Sequence, residues 1–114
     1  MGNLTKERYS LVLVTAGSEE EANEIASALV NEQLAACVSI APIQSVYRWQ
    51  GKIERDREWQ LTIKTHLALF PALETKIKDL HSYDVPEMIA IPIIMGSQSY
   101  LDWLSKSVTP TTTD

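Results

Sequence analysis

Only one cysteine, Cys37, occurs in the 114-residue chain, so no internal disulfide can form and no CxxC pair exists for metal or redox work. Such usage suits a reducing compartment. The four glycines form no phosphate-cradling loop, and neither a nucleophile elbow nor an HExxH helix is present. No apolar run approaches the roughly 20 residues of a membrane span, and Met1 to Arg8 is polar, without the apolar core of a signal peptide. A cytoplasmic protein with no membrane partner is expected. Positive charge is also in deficit: ten Lys and Arg face fifteen Asp and Glu, for a net charge of −5. Arg48, Lys52, Arg55 and Arg57 alternate with Glu54, Asp56 and Glu58 and form no basic patch, which argues against nucleic acid as a partner.

What remains is a composition of 45% hydrophobic and 22% charged residues, enough for one domain with an ordinary core. The expected domain is 1–108, followed by a Thr-rich tail, 109–114, that contains Pro110 and should be flexible.

Tyr9 to Val14 is a β-rich run that stops at Ala16-Gly17 and reads as a first strand. Ser18 followed by Glu21 has the spacing of a capping box. Ala22, Ile25, Ala26, Leu29 and Val30 then recur at helical spacing to about Gln33. Leu34 to Trp49 reads as a long, bent second strand in which Pro42, lacking a ladder donor, requires a bulge or an edge. Gln50-Gly51 turns the chain, and Trp59, Leu61 and Ile63 alternate with Gln60, Thr62 and Lys64 in a third strand. Phe70, Leu73, Ile77 and Leu80 mark a second helix, with Pro71 in its first turn and an end near His81. After a turn over Ser82 to Pro86, Met88 to Met95 reads as a buried fourth strand, and Ser97 is placed to cap a short terminal helix.

The fold class predicted from this order is α+β: a ferredoxin-like βαββαβ domain with a long hairpin and a C-terminal helix. Two helices cover one sheet face only. Yet Leu11 and Leu13 oppose Val12 and Val14, and Ile89 and Ile91 oppose Met88 and Ala90, so both faces call for burial. Thirteen-residue hairpin strands at roughly 3.3 Å per residue span about 43 Å, against a diameter of roughly 34 Å for a compact chain of this length. The hairpin should overhang its own domain and seek a partner.

The blocks LAACVSI (Leu34 to Ile40), SVYRWQGKIERDREW (Ser45 to Trp59), TIKT (Thr62 to Thr65), HSYDVPE (His81 to Glu87) and YLDWL (Tyr100 to Leu104) resemble, in order and spacing, the CutA divalent-cation-tolerance family. The resemblance covers nearly the whole chain apart from its termini. It implies a homotrimer in which long hairpins pair between subunits, an outline shared with the PII signal proteins, and a role in tolerance of divalent metals such as copper. Copper ligation in some family members draws on a cysteine at the end of the first strand and on two adjacent histidines. Val14 and Leu80 occupy two of those places here, leaving His81.

Several side chains invite a functional reading. Cys37 lies on the sheet face away from the helices; a free cysteine there is either a packing residue or a soft-metal and redox group. His81 and Glu87 bracket a turn, and imidazole with carboxylate is a first shell for Cu(II) or Zn(II), although a histidine at a helix end also suits the helix C-terminal dipole. Lys64 is a solvated strand lysine unless assembly buries it, in which case its charge calls for a carboxylate or a small anion. Tyr47, Trp49, Lys64 and Tyr83 are read with His81 and Glu87 as lining an inter-subunit cleft, Trp49 also fitting an interface anchor. Three functions follow: a cation-tolerance trimer with weak copper binding, a PII-like ligand-sensing or scaffold module, and, ranked last, an enzyme using Cys37 with His81. The expectation is of no enzyme and no certain cofactor.

Overall fold

The computed structural model describes residues 2–4 and 8–108 of the chain. Six strands and three helices follow in the order β1 (Gly2–Leu4), β2 (Tyr9–Ala16), α1 (Glu19–Asn31), β3 (Cys37–Trp49), β4 (Lys52–His66), α2 (Phe70–Leu80), β5 (Ile89–Pro92), β6 (Met95–Ser97) and α3 (Gln98–Ser107). A single 3₁₀ turn, Leu67–Leu69, leads into α2. The antiparallel main sheet has the order β3-β4-β2-β5, and β2-α1-β3-β4-α2-β5 is the expected βαββαβ unit.

Alternation along the strands puts Val12, Val14, Leu61 and Ile63, all fully buried, on one sheet face. They pack against Ala22, Ile25, Ala26 and Leu29 of α1 and Leu73 and Ile77 of α2 in one continuous core. The opposite face carries Leu11, Leu13, Cys37, Thr62 and Lys64, all half-buried, and the exposed Ile89 and Ile91. Helix α3 covers only one end of it, where Leu104 and Val108 meet Tyr9, Ala36 and Leu69.

Helix α1 starts as its sequence dictates: the Ser18 hydroxyl accepts the Glu21 N–H at 3.1 Å. Its end is less ordinary. Gln33 adopts φ 60°, its N–H reaches the Val30 carbonyl at 3.1 Å, and that of Leu34 reaches the Leu29 carbonyl at 2.9 Å. These are the two bonds of a Schellman stop, built on glutamine where glycine is usual. The hairpin turn also uses left-handed backbone. Trp49 pairs with Lys52 across a two-residue loop, Gln50 at φ 51° and Gly51 at φ 78°, the primed geometry that matches strand twist. The strands behind it stretch the molecule to 45 × 28 × 21 Å. Pro42 lies on β3, an edge strand, as its missing N–H requires.

Two expectations need correction. The Met88–Met95 run is not one strand: β5 ends at Pro92, and the chain leaves the sheet before β6 begins at Met95. Past Pro92 the Ile93 N–H still donates to the Tyr9 carbonyl of β2 at 2.9 Å; the chain then departs, and β6 pairs instead with β1, through Gly2↔Ser97 to Leu4↔Met95. The second strand starts at Cys37, three residues later than its composition indicated, because Leu34 and Ala35 complete the end of α1. The expected flexible tail, 109–114, lies outside the described residues.

Candidate functional site

The turn after α2 is held down by side chains of α1 and β4 and by a backbone carbonyl of β2. His81 is the C-cap of α2, its backbone N–H donating to the Ile77 carbonyl at 2.9 Å. Its ring is fully buried. The Tyr83 backbone N–H donates to Nδ1 at 3.0 Å, which makes Nδ1 the unprotonated nitrogen. The proton therefore sits on Nε2 and is donated to the Thr15 carbonyl, at 2.7 Å, near the end of β2. Both ring nitrogens are thus engaged.

Ser82 donates twice to one carboxylate of α1, its N–H to Glu21 Oε2 at 2.6 Å and its hydroxyl to Glu21 Oε1 at 3.0 Å. Glu21 lies in the first turn of α1, where the helix dipole also favours negative charge. The Tyr83 ring packs 4.7 Å from the imidazole, and its hydroxyl donates to Glu58 of β4 at 2.9 Å. Gly17 makes room for this ring: a Cβ there would stand 3.0 Å from the tyrosine oxygen. The turn, α1, the end of β2 and the hairpin are therefore joined through one chain of hydrogen bonds.

Tyr47 extends this line along the hairpin by donating its hydroxyl to Asp56. Burial, followed by the bond to Glu58, raises the Tyr83 phenol well above its ordinary range. The bond to Asp56 is the main cause that takes Tyr47 from 10.0 to about 12. Because the folded value is the higher, whatever this bond adds to stability is present below pH 10.0 and is lost as pH rises towards 12. In a near-ultraviolet titration, Asp56→Asn is expected to return one phenol towards 10.0, leaving the Tyr83 transition high. An unchanged titration would remove Asp56 from the account.

The other candidates lie elsewhere. Trp49 is 60% exposed at the hairpin tip. Lys64 pairs with Cys37 at the opposite end of the β3–β4 ladder, twelve positions from the Trp49–Lys52 pair, or about 40 Å at strand rise. Its ammonium donates to Ser39 Oγ at 2.8 Å and approaches Cys37 Sγ at 3.8 Å. Glu87 is exposed beyond the turn. Within one subunit the structure brings Tyr83 against His81, bonds Tyr83 and Tyr47 to Glu58 and Asp56 of the same strand, and leaves Trp49 and Lys64 at the two ends of the hairpin.

The metal candidates Cys37, His81 and Glu87 do not meet either. Among the described residues, no group of three or more His, Cys, Asp or Glu side chains is placed to hold a metal ion. A metal at His81 would have to displace the Tyr83 N–H from Nδ1 or the Thr15 carbonyl from Nε2. These residues do not fit a preformed metal centre within one subunit.

Sequence reasoning missed three members of the network: Thr15, Glu21 and Glu58. Thr15 acts through its carbonyl, for which no side-chain signal exists. Glu21 already had a role in helix capping, and Glu58 stood in an alternating charge run. Glu58 meets Tyr83 through the path of the turn after α2, which no local pattern shows.

The family described as CutA1 divalent ion tolerance protein matches residues 10–107. The divalent-cation tolerance protein CutA of Thermus thermophilus is 51% identical over 98 residues, covering 85% of this chain and 95% of that protein. Human protein CutA is 44% identical over 106 residues, covering 92% of this chain; the match spans 59% of the human protein and 54% of the chloroplastic CutA of Arabidopsis thaliana. Among solved structures, CutA from Synechococcus elongatus superposes with a TM-score of 0.91 at 41% identity, covering 96% of each chain. The Thermus thermophilus structure gives 0.86 at 49% identity, covering 89% of this chain and 99% of that one. With its βαββαβ order, its long hairpin and a family match over most of its length, the chain belongs to the CutA1 divalent ion tolerance family.

Proposed function

We propose that the chain acts in divalent-cation tolerance as a homotrimer, through binding and assembly and without a catalytic step. The observation that carries this reading is the sheet face left open by the helices. Ile89 and Ile91 are 50% and 41% exposed there, paired with half-buried Leu13 and Leu11 of β2. A contiguous apolar surface of this kind marks an association site. The Thermus thermophilus relative supports the role through its name, and the cysteine usage supports a cytoplasmic setting. Relatives differ in this respect, being named chloroplastic in Arabidopsis thaliana and periplasmic in Archaeoglobus fulgidus. No helix among the described residues is long and apolar enough to cross a membrane.

Copper contact in this reading is loose and centred on His81, since it competes with hydrogen bonds the imidazole already makes. Growth of a strain lacking its own CutA, across a copper series, tests the role. Expression of this chain is expected to restore tolerance, and Ile91→Asp is expected to abolish the rescue. Absence of rescue by the well-expressed wild type would overturn the reading.

A second reading, a PII-like ligand-sensing module with an inter-subunit cleft, is favoured by Lys64. The residue is half-buried, and among the described residues it forms no ion pair with a carboxylate. Thermal-shift screening with metals and with small anions separates the two.

A further inference from the structure

We propose that the overhanging hairpins of the homotrimer meet head-to-tail, the arginine-bearing face of one lying on the carboxylate-bearing face of the next copy's hairpin. This rests on the trimeric reading and specifies how its subunits pair. Strand β2 ends opposite Trp59, and beyond that pair β3 and β4 continue as a two-stranded ribbon, in unbroken register, to Trp49 and Lys52. Side chains of such a ribbon alternate between its two faces. Arg55 and Arg57 share the helix-side face with Trp59, which packs against the core, and Arg48 joins them as the cross-strand partner of Ile53. The Arg57 guanidinium lies 5.6 Å from the Trp59 ring, as a shared face requires. Glu54, Asp56 and Glu58 lie on the other face, which continues that of Thr62 and Lys64. Charges that are interleaved in the sequence are thus sorted by the strand, positive to one side and negative to the other, with Lys52 at the tip as the exception.

Neither set finds a counterion within the subunit. Among the described residues none of these arginines and carboxylates forms an ion pair, and all are exposed except the half-buried Glu54 and Glu58. Tyr47 and Tyr83 donate hydroxyl bonds to Asp56 and Glu58 but bring no charge. Both faces also carry apolar surface: Val46 and Ile53 are exposed among the arginines, Tyr47 and Trp49 beside the carboxylates. Aromatic side chains and arginine are the types enriched at interfaces between proteins. The carboxylate face is continuous with the open sheet face of Leu11 and Ile91, so a copy that covers one is brought to the other. Opposite potentials then fix orientation and register. Stacking two ribbons about a two-fold axis would lay like faces together, arginine on arginine. A head-to-tail contact joins opposite faces, and it forms a ring where the rotation closes.

Light scattering over a dilution series, with circular dichroism to confirm folding, tests the pairing in the wild type, in Arg55→Glu/Arg57→Glu, in Glu54→Arg/Asp56→Arg and in the chain that carries all of these changes. Either reversal alone puts like charges at every contact, so its trimer is expected to come apart at a concentration ~10-fold or more above that of the wild type. The combined chain restores opposite signs and should recover most of this loss, which residues of purely structural value would not do. Equal resistance to dilution in all of these chains would overturn the charge pairing and leave the trimer intact. So would a combined chain that recovers nothing. A labelled single-stranded oligonucleotide held by the wild-type trimer and released by Arg55→Glu/Arg57→Glu would also overturn it, because the arginines would then be open in the assembly. A wild type that is monomeric at every concentration would overturn the pairing and the trimeric reading together.

Discussion

Ile91→Asp is expected to turn a particle of roughly three times the 12.8 kDa subunit mass into a folded monomer, as measured by light scattering over a dilution series. Ile91 is 41% exposed in the isolated subunit and sits on the open sheet face opposite Leu11, with Ile89 two residues away. Covering what is still exposed of Ile91 contributes only a part of the about 1.5–3 kcal/mol that full burial of an isoleucine gives. A carboxylate in its place would have to be desolvated without a partner, at a further cost of several kcal/mol. Three copies of that penalty in one closed assembly are enough to abolish it. The monomer itself should stay folded, because the core of Val12, Val14, Leu61 and Ile63 lies on the other face. Trp49→Ala should weaken assembly less completely. A wild type that scatters as a 12.8 kDa monomer at every concentration would sink the trimer.

That surface was legible in the sequence because strand alternation is a local signal. Leu11 against Val12, or Ile89 against Ala90, needs only a period of two to be sorted onto opposite faces. The start of α1 was legible for the same reason, Ser18 and Glu21 being three residues apart, whereas Ser97 precedes α3 without a side-chain cap bond. What local pattern could not supply is pairing at a distance. The β1–β6 ribbon joins Gly2–Leu4 to Met95–Ser97 through three residue pairs, too short for any periodicity. The break between β5 and β6 fell inside a nearly continuous apolar run, Met88 to Met95, with no local signal to divide it. The candidate site divides along the same line. Tyr47, Tyr83 and His81 could be picked out by type, whereas their partners Asp56, Glu58 and Thr15 follow only from register and from the path of the turn. Convergence of Trp49 and Lys64 with them required the hairpin to be short, and its 45 Å long axis keeps the two apart within a subunit.

The ring of His81 links these two kinds of information, and its replacement should have a large effect. His81→Ala removes the acceptor of the Tyr83 N–H and the donor to the Thr15 carbonyl and leaves a cavity beside the Tyr83 ring. Two backbone groups left unpaired cost about 1–3 kcal/mol each, so urea unfolding is expected to show a loss of about 3 kcal/mol or more. His81→Gln, which keeps a donor and an acceptor on one side chain, should recover part of this stability. Copper separates the structural role from a ligand role. In the wild type, Cu(II) can reach an imidazole nitrogen only by displacing one of these hydrogen bonds, so calorimetry is expected to show weak binding, tighter for Cu(II) than for Zn(II). Both His81→Gln and His81→Ala should lose it. Unchanged Cu(II) binding in the better-folded His81→Gln would make His81 a structural histidine alone. Submicromolar binding of one ion per subunit in the wild type would mean that assembly brings together ligands, Cys37 or Glu87 among them, that a single subunit holds apart.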